Sequence, residues 1–276
     1  MRLLAFFVIT TAFAQQPQIS SPMVEHTRTH ERLPEKTPAG KREKLDLGTL
    51  YLPPGIGKHP TLFLFFHGES WVPEVAAARN HVAVISATVG NGSGVYVRLF
   101  EDPQRLQRVI AEAEEVSRLK FARVIVGGWS AGCGAVRQIL RSPEGYARVD
   151  AALCIDGMHT DYVNGQPGPL ESSITPENIA MYVQFGRDAM AGRKKLLVTH
   201  SEIFPGTYAS TTETADYLVA QLGVKLKPVL KWGPRGSQQL SEASRGKFLL
   251  KGFAGNSAPD HVDQLQSLPE FLKWLR

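Results

Sequence analysis

The sequence predicts an α/β protein with a mostly parallel central sheet and helices on both faces of that sheet. The first observation is a series of apolar runs rich in β-branched residues, which are typical of strands buried on both faces. The second is that segments with helical periodicity lie between several of these runs, as they do in crossover connections. The third is length, because 276 residues suffice for one large core and do not require two domains.

The predicted strands follow one another from about residue 45, and most end at glycine, proline or polar residues that favour a turn. They occupy residues 45–55, 61–68, 81–90, 122–128, 151–157, 195–201, 226–232 and 247–255. Helices are predicted at residues 102–120, 131–142, 211–223 and 268–276, and another starts near Thr175. Such sheets bind ligands beyond the carboxyl ends of their strands, so we expect a site there.

The N-terminal segment, residues 1–14, has the features of a secretory signal peptide. Arg2 precedes a short apolar run, and small residues surround the expected cleavage point after Ala14. The run is too short to span a bilayer, so we expect a secreted or periplasmic protein without stable membrane insertion. Residues 15–44 are polar and lack periodicity, which indicates an N-terminal arm, and residues 45–276 form the predicted folded domain.

Composition excludes several classes of partner and cofactor. The net charge is +5, but the basic residues are scattered and no aromatic residues alternate with them, so we expect no nucleic-acid partner. The two cysteines, Cys133 and Cys154, lie in segments predicted to be buried, which favours free structural thiols over a disulfide. The histidines and cysteines show no metal-ligand spacing, and we expect neither a metal nor an organic cofactor.

The stretch GGWSAGCGA, residues 127–135, follows a predicted central strand and precedes a predicted helix. Its G-x-S-x-G pattern places Ser130 between Gly128 and Gly132. A serine at so sharp a strand-to-helix turn has a strained backbone, and glycine at both flanking positions removes side-chain collisions. The serine hydroxyl would then project above the sheet, where N–H groups of the helix N-terminus can stabilise the negative charge that develops during acyl transfer.

This motif, in its strand and helix context, resembles the nucleophile elbow of the α/β-hydrolase fold, and the order of elements from residue 45 onward is similar to that fold. The resemblance implies that Ser130 is the nucleophile and that the Ala131 N–H is one oxyanion donor. The segment FFHGES resembles the family's His-Gly loop, which implies a second donor at the N–H of Glu69 or of Ser70. His67 itself is expected to shape that loop.

The family order of serine, acid and histidine along the chain implies that the base follows Ser130. His261 lies between the last predicted strand and the terminal helix, where the family places its base. His159 and His200 also follow the serine, and we expect them to line the mouth of the site or to be hydrogen-bonded surface residues.

Two carboxylates are candidates for the acid. Asp156 ends a predicted strand and precedes a glycine, which would fix a short carboxylate at the active edge of the sheet. Glu202 follows the next strand, close to the position at which the family most often keeps its acid. We prefer Asp156 slightly and retain Glu202 as the alternative.

The resemblance places a lid between the predicted strands ending at Gly157 and beginning near Lys195, which gives a short cap at about residues 158–194. So short an insertion predicts a fairly open site. Trp71, Trp129 and Tyr162 are candidates for its apolar wall, although packing in the core explains each of them equally well.

Together these features predict an exported serine hydrolase, carboxylesterase-like, that cleaves a small-molecule or lipid-like ester, or less favourably an amide, through an acyl-enzyme. Two alternatives keep the same fold. One is a binding protein that retains the elbow without catalysis, since fold alone does not establish function. The other is an acyltransferase, which uses the same triad and covalent intermediate but passes the acyl group to an acceptor other than water.

Overall fold

A ten-stranded mixed sheet runs through the part of the chain that the computed structural model describes, residues 32–165 and 173–276. The strands are β1 (Lys41–Lys44), β2 (Thr49–Leu52), β3 (Thr61–Phe66), β4 (Ala83–Ala87), β5 (Arg123–Trp129), β6 (Ala151–Ile155), β7 (Lys195–His200), β8 (Lys227–Trp232), β9 (Gln238–Arg245) and β10 (Phe248–Phe253). Their spatial order is β1-β2-β4-β3-β5-β6-β7-β10-β9-β8.

The six central strands, from β4 to β10 in this order, pair in parallel, and antiparallel pairs extend the sheet at both edges. The mostly parallel sheet predicted from the sequence is therefore confirmed. The central strands are apolar because helices cover both of their faces, whereas the edge strand β8 is largely exposed, with Leu230 at 76%. The sequence of β8 accordingly contains lysines as well as apolar residues.

Nine α-helices are described within the same residues. They are α1 (Trp71–Asn80), α2 (Ser93–Arg98), α3 (Arg105–Ser117), α4 (Cys133–Arg141), α5 (Pro143–Arg148), α6 (Ala180–Met190), α7 (Thr211–Leu222), α8 (Ala258–Gln266) and α9 (Leu268–Leu275). None of the helices in the described ranges is long and apolar enough to cross a bilayer.

Alternation along the strands divides the core into two layers. In β3, Phe63 and Phe65 point to the layer formed with α1 and α9, while Leu62 and Leu64 point to the layer formed with α3, α4, α6 and α7. Each face of the sheet is thus closed by helices, and the carboxyl ends of the parallel strands remain open for a site.

The ordered part of the fold begins earlier than the sequence analysis predicted. Strand β1 pairs with β2 although it precedes residue 45, and Leu33 is buried against the core. Arg42 in β1 also forms an ion pair with Glu74 of α1, with Nη2 and Oε2 2.6 Å apart. The last part of the predicted arm therefore belongs to the sheet, while the predicted signal peptide, residues 1–14, lies outside the described residues.

The predicted cap at residues 158–194 is shorter in the structure. Its second half contains α6, which packs against β7 and buries Tyr182 and Phe185 in the main core. This helix is therefore a crossover helix of the sheet. The remaining part of the predicted cap, residues 158–179, includes residues 166–172, which lie outside the described residues.

Both cysteines are free and buried, as predicted. The Cys133 thiol lies 3.2 Å from the carbonyl oxygen of Gly128, and the Cys154 thiol lies 3.2 Å from the Tyr182 hydroxyl. Burial raises the pKa of the Cys133 thiol well above its ordinary value, so the thiol stays protonated and packs as a small apolar group.

Candidate active site

The serine of the G-x-S-x-G stretch lies at a sharp turn between β5 and α4. Ser130 opens a single 3₁₀ turn and has a φ of 51°, in the left-handed region that non-glycine residues rarely adopt. A Cβ at Gly128 would lie 2.4 Å from the carbonyl carbon of Gly132, and a Cβ at Gly132 would lie 2.0 Å from the carbonyl oxygen of Phe66. Both glycines are therefore required by close backbone contacts, as the sequence analysis predicted.

A second strained residue, Asp156, directly follows β6 with a φ of 44°. Its side chain is 2% exposed, and its Oδ2 lies 2.7 Å from Nδ1 of His261. The carboxylate accepts three further hydrogen bonds, from the Ser201 N–H at 2.9 Å and from the hydroxyls of Ser201 and Thr211, each at 2.7 Å. Every donor around this carboxylate comes from an element other than β6.

These contacts decide the charge of the carboxylate. Burial alone would raise the pKa of Asp156, but the hydrogen bond and charge of His261, together with the Thr211 and Ser201 hydroxyls, hold that pKa below its ordinary value. An ionised carboxylate at Nδ1 keeps the proton of a neutral imidazole on that nitrogen. The other nitrogen of His261, Nε2, is then the one that can accept a proton.

The alternative acid, Glu202, has a different environment. Its side chain is exposed at the end of β7, and its Oε2 accepts a hydrogen bond from the Gly255 N–H at 3.2 Å. The Glu202 N–H in turn donates to the Gly255 carbonyl at 3.0 Å, which ties the two loops together. In the described structure no hydrogen bond joins Glu202 to His261, so the structure brings Asp156 and not Glu202 to the imidazole.

His261 lies in the first turns of α8 and is held from the side by Trp129. The two ring centroids are 4.5 Å apart, and the indole N–H donates to the His261 carbonyl at 3.0 Å. The indole also stacks on His67, with centroids 5.2 Å apart and ring planes 17° apart. Trp129, the residue directly before the serine, therefore fixes the imidazole rather than forming a passive wall.

His67 shapes the loop after β3. Its φ is 72°, and its Nδ1 lies 2.9 Å from the hydroxyl of Tyr96. Burial lowers the pKa of His67, and the neighbouring charge of His261 lowers it further, so the ring is neutral near pH 7. This placement agrees with the loop-shaping role expected for it.

The predicted oxyanion donors lie on two loops that touch. The Ala131 N–H belongs to the first turn after β5, where helical N–H groups lack intrahelical acceptors. Glu69 and Ser70 connect β3 to α1, and Ser70 is the N-cap of that helix. Because β3 and β5 are adjacent and pair through Phe66 and Gly128, both loops lie at the same edge of the sheet.

The cavity above this edge has two lobes. The first, which we name the histidine lobe, has a volume of about 210 Å³ and is lined by Ser130, Asp156, His159, Ile203, Pro205, Tyr208, Thr211, Ala258 and His261. The second, which we name the arginine lobe, has a volume of about 320 Å³ and is lined by Asn91, Gly92, Ser93, Ser130, Ala131, Arg137, His159, Thr160, Asp161 and Tyr208. Ser130 borders both lobes, although no direct hydrogen bond joins its hydroxyl to His261 in the described structure.

His159 and His200 have different positions. His159 separates the two lobes, where its ring meets the edge of Tyr208, and burial lowers the pKa of His159 to about 4. His200 is buried beneath the site, with Nδ1 3.1 Å from the Thr212 hydroxyl, and it lines neither lobe. The expectation that His200 borders the mouth of the site or lies on the surface is therefore wrong, because its ring is buried between the hydroxyls of Thr212 and Ser241.

Tyr162 and Trp71, the other two candidates for the apolar wall, do not line the cavity. Tyr162 is 4% exposed and donates its hydroxyl to Glu213, with 2.9 Å to Oε2. The Trp71 ring lies 5.5 Å from the Lys36 ammonium, outside the residues that line either lobe. For both residues packing outside the cavity is the correct interpretation. In the ranges that the structure describes, no cluster of three or more histidine, cysteine or carboxylate side chains is arranged to hold a metal ion.

Three residues at the site were not singled out from the sequence. Ser201 and Thr211 complete the hydrogen bonds of Asp156, and Arg137 projects from α4 into the arginine lobe. Ser201 follows β7 and Thr211 begins α7, so their positions at element ends were visible in the sequence. Their convergence on one carboxylate depends on the tertiary fold.

Comparisons with known proteins show similarity in structure only. No protein-family model matches the sequence, and no curated protein sequence matches it. Solved structures do match. An acetyl xylan esterase from Aspergillus awamori superposes with a TM-score of 0.50 at 14% identity, over 84% of this chain and all of the esterase (100%).

Two further structures match over similar lengths. The protein DphMB1 superposes with a TM-score of 0.50 at 16% identity, over 91% of this chain and 90% of its own. LpqC, a poly(3-hydroxybutyrate) depolymerase from Bordetella parapertussis, superposes with a TM-score of 0.48 at 15% identity, over 84% of this chain and 90% of its own. At such identities the similarity concerns the fold. The chain has the α/β-hydrolase fold, and the resemblance found in its sequence is confirmed at that level.

Proposed function

We propose that this α/β-hydrolase-fold protein is a serine hydrolase that cleaves carboxylic esters through Ser130, His261 and Asp156. One observation carries the proposal: the buried Asp156 carboxylate lies 2.7 Å from Nδ1 of an imidazole that shares a cavity with the strained serine. A structural turn needs neither a buried ionised carboxylate nor an imidazole set between it and a serine, because burying such a charge is costly unless it is paired.

In the first half of the proposed reaction, the Ser130 hydroxyl attacks the ester carbonyl carbon and His261 Nε2 takes its proton. The imidazolium that forms is stabilised by Asp156. The carbonyl oxygen becomes an oxyanion, and we propose that the Ala131 N–H and the N–H of Glu69 or Ser70 donate hydrogen bonds to it. Collapse of the tetrahedral intermediate breaks the bond to the alcohol, which leaves with the proton from Nε2, and Ser130 keeps the acyl group.

In the second half, water takes the place of the alcohol. The oxygen of the water attacks the acyl carbon while His261 Nε2 accepts one proton of that water. The proton then passes from Nε2 to the Ser130 oxygen as the carboxylic acid leaves. No step requires a metal or an organic cofactor. If an alcohol or amine replaces water in this step, the same groups carry out acyl transfer.

Ser130 borders both lobes, which favours a substrate with one group in each lobe. Lobes of about 210 and 320 Å³ have the size for small-molecule or lipid-like esters. Amides have poorer leaving groups and are the less favoured substrates. The signal-peptide pattern of residues 1–14 supports a secreted or periplasmic location.

The test is covalent labelling of the mature protein with a fluorophosphonate probe, together with hydrolysis of p-nitrophenyl butyrate. Ser130→Ala should abolish labelling, and Ser130→Ala and His261→Ala should each lower kcat by about 10⁴-fold or more. Ser244→Ala, at an exposed serine of β9, is the matched control and should leave both readouts unchanged.

Folded wild-type protein that is neither labelled nor active on any ester would contradict the proposal and favour a binding protein with the same fold. Product ratios that change when alcohols are added would instead identify an acyltransferase.

A further inference from the structure

Arg137 projects from α4 into the arginine lobe, seven residues beyond Ser130. Ser130 and the candidate oxyanion donor Ala131 border the same lobe, so the guanidinium shares a cavity with the nucleophile. Among the described residues, the guanidinium forms no ion pair.

The hydrogen bonds of Arg137 leave much of its donor capacity unused. Nη1 donates to the His159 carbonyl oxygen at 3.2 Å, whereas Nε is buried and has no partner among the described residues. A guanidinium carries five N–H donors in a planar fork and stays charged, and leaving buried donors unsatisfied is costly. Because Nε is buried, the donors suited to a group that enters the lobe from outside are those of Nη2 and the second donor of Nη1.

No carboxylate neutralises Arg137 within the described ranges. No described aspartate or glutamate lies within the 4.0 Å ion-pair distance of the guanidinium. Asp161, the acidic residue that lines the same lobe, is exposed and does not pair with it. Arg141, one turn further along α4, also forms no ion pair among the described residues. Its guanidinium instead donates to two side-chain acceptors, the amide oxygens of Gln138 and Asn178.

The two lobes therefore differ in chemistry. Beyond the catalytic candidates, the histidine lobe presents the apolar side chains of Ile203, Pro205 and Ala258. The arginine lobe presents Arg137, which has no ion-pair partner among the described residues, together with the amide of Asn91, the hydroxyl of Ser93 and the exposed carboxylate of Asp161. An ester in this cavity would meet apolar side chains in the histidine lobe, and polar side chains with a guanidinium in the arginine lobe.

We propose that Arg137 binds a carboxylate on the substrate, so that the preferred ester carries an anionic group on the side that enters the arginine lobe. This inference rests on the proposed function of the same cavity. A planar carboxylate can accept two parallel hydrogen bonds from a guanidinium, and these charge-assisted bonds are about twice as strong as neutral ones. The carboxylate would supply a counter-charge that no described residue provides within ion-pair distance of Arg137.

The test compares esters that differ only in a carboxylate. On the acyl side, mono-p-nitrophenyl adipate is matched with p-nitrophenyl hexanoate, and on the alcohol side p-acetoxybenzoate is matched with p-tolyl acetate. In wild-type protein at pH 7, kcat/KM should favour the charged ester in one of the two pairs. In Arg137→Met the ratio of charged to neutral kcat/KM should fall by about tenfold or more, mainly through KM.

Arg141→Met is the matched control and should keep the wild-type ratio, because Arg141 lies on the same helix but outside the cavity. Arg137→Lys retains the charge and should keep part of the preference while losing the paired geometry. Fluorophosphonate labelling of Ser130 and thermal unfolding show whether each variant is folded, and Arg137→Lys also serves as the second variant if Arg137→Met does not fold.

The inference alone is overturned if wild-type protein hydrolyses the neutral esters but shows no preference in either pair, or if Arg137→Met slows both esters of a pair equally. If wild-type protein is not labelled and hydrolyses none of the four esters, the proposed function itself fails and this inference fails with it.

Discussion

Two neighbouring parallel strands, β6 and β7, are each followed within two residues by a carboxylate, yet the two carboxylates have different environments. Asp156, after β6, is buried, accepts three hydrogen bonds from Ser201 and Thr211, and contacts His261 at 2.7 Å. Glu202, after β7, is exposed and accepts one backbone hydrogen bond from Gly255. Both lie at the edge of the sheet that carries the cavity.

The difference shows that position at a strand end does not by itself make a carboxylate suited to orient an imidazole. What distinguishes Asp156 is a set of donors that keeps a buried carboxylate charged, supplied by the loop after β7 and by the start of α7. Glu202 is exposed instead, and its hydrogen bonds with Gly255 join two loops.

The largest difference between the two carboxylates is expected when each is replaced in turn by its amide. Asp156→Asn should lower kcat for ester hydrolysis by about 10⁴-fold, because an amide favours the wrong tautomer of His261 and cannot stabilise the imidazolium. Glu202→Gln should change kcat by less than about threefold, since the exposed carboxylate touches neither His261 nor the cavity. Steady-state kinetics on p-nitrophenyl butyrate measure both, and the reverse ranking would make Glu202 the acid.

The pH dependence of stability tests whether the side chain of His159, three residues beyond Asp156, is buried as the structure indicates. Its pKa in the folded protein is about 4, below the value of 6.5 expected when unfolded. As pH falls below 6.5 the unfolded chain therefore gains a proton that the folded chain does not bind, and stability is lost. Between pH 7 and pH 5 this loss is about 2 kcal/mol.

Urea unfolding of wild-type protein and His159→Gln at these two pH values measures the effect. The variant should lose about 2 kcal/mol less than wild type on acidification, while His67 and His200 contribute equally to both proteins. An identical pH dependence in the two proteins would show that His159 is solvated and that the β6 side of the site is wetter than the structure indicates.

A smaller effect is expected from removing one donor to the buried carboxylate. Thr211→Val keeps the shape of the side chain but removes the hydroxyl that lies 2.7 Å from Asp156 Oδ1. The carboxylate then orients His261 less firmly, and kcat/KM should fall by about fivefold. Thr207→Val, at an exposed position of the loop that precedes α7, is the control, and equal rates in both variants would mean that the donor set does not act on the imidazole.

The sequence predicted the sheet and the turn at Ser130 because both depend on local patterns. Apolar runs mark strands that are buried on two faces, and glycines two residues away on each side of a serine mark a backbone turn that no Cβ could enter. The choice between Asp156 and Glu202 could not be made in the same way. It depends on which donors converge on each carboxylate, and those donors lie 45 and 55 residues beyond Asp156 along the chain.

The missed elements have related causes. Helix α1 contains Pro73 and is buried on most of its surface, so its sequence lacks the two-sided pattern that predicts a helix. Strand β9 is polar because it lies in the antiparallel extension of the sheet and not in its centre. Arg137 looked like an ordinary charged residue of a helix, and only the packing of α4 beside the cavity shows what its side chain faces.

The contact of Trp129 with both His67 and His261 has a spectroscopic consequence. Protonated imidazole quenches the fluorescence of an indole in contact with it more strongly than neutral imidazole does, and here the contacting ring is the proposed base itself, with centroids 4.5 Å apart. The emission of Trp129 therefore reports the protonation of His261 in the resting protein. The sequence has four tryptophans, so the difference in emission between wild-type protein and Trp129→Phe isolates this signal, and it is read without substrate, label or turnover.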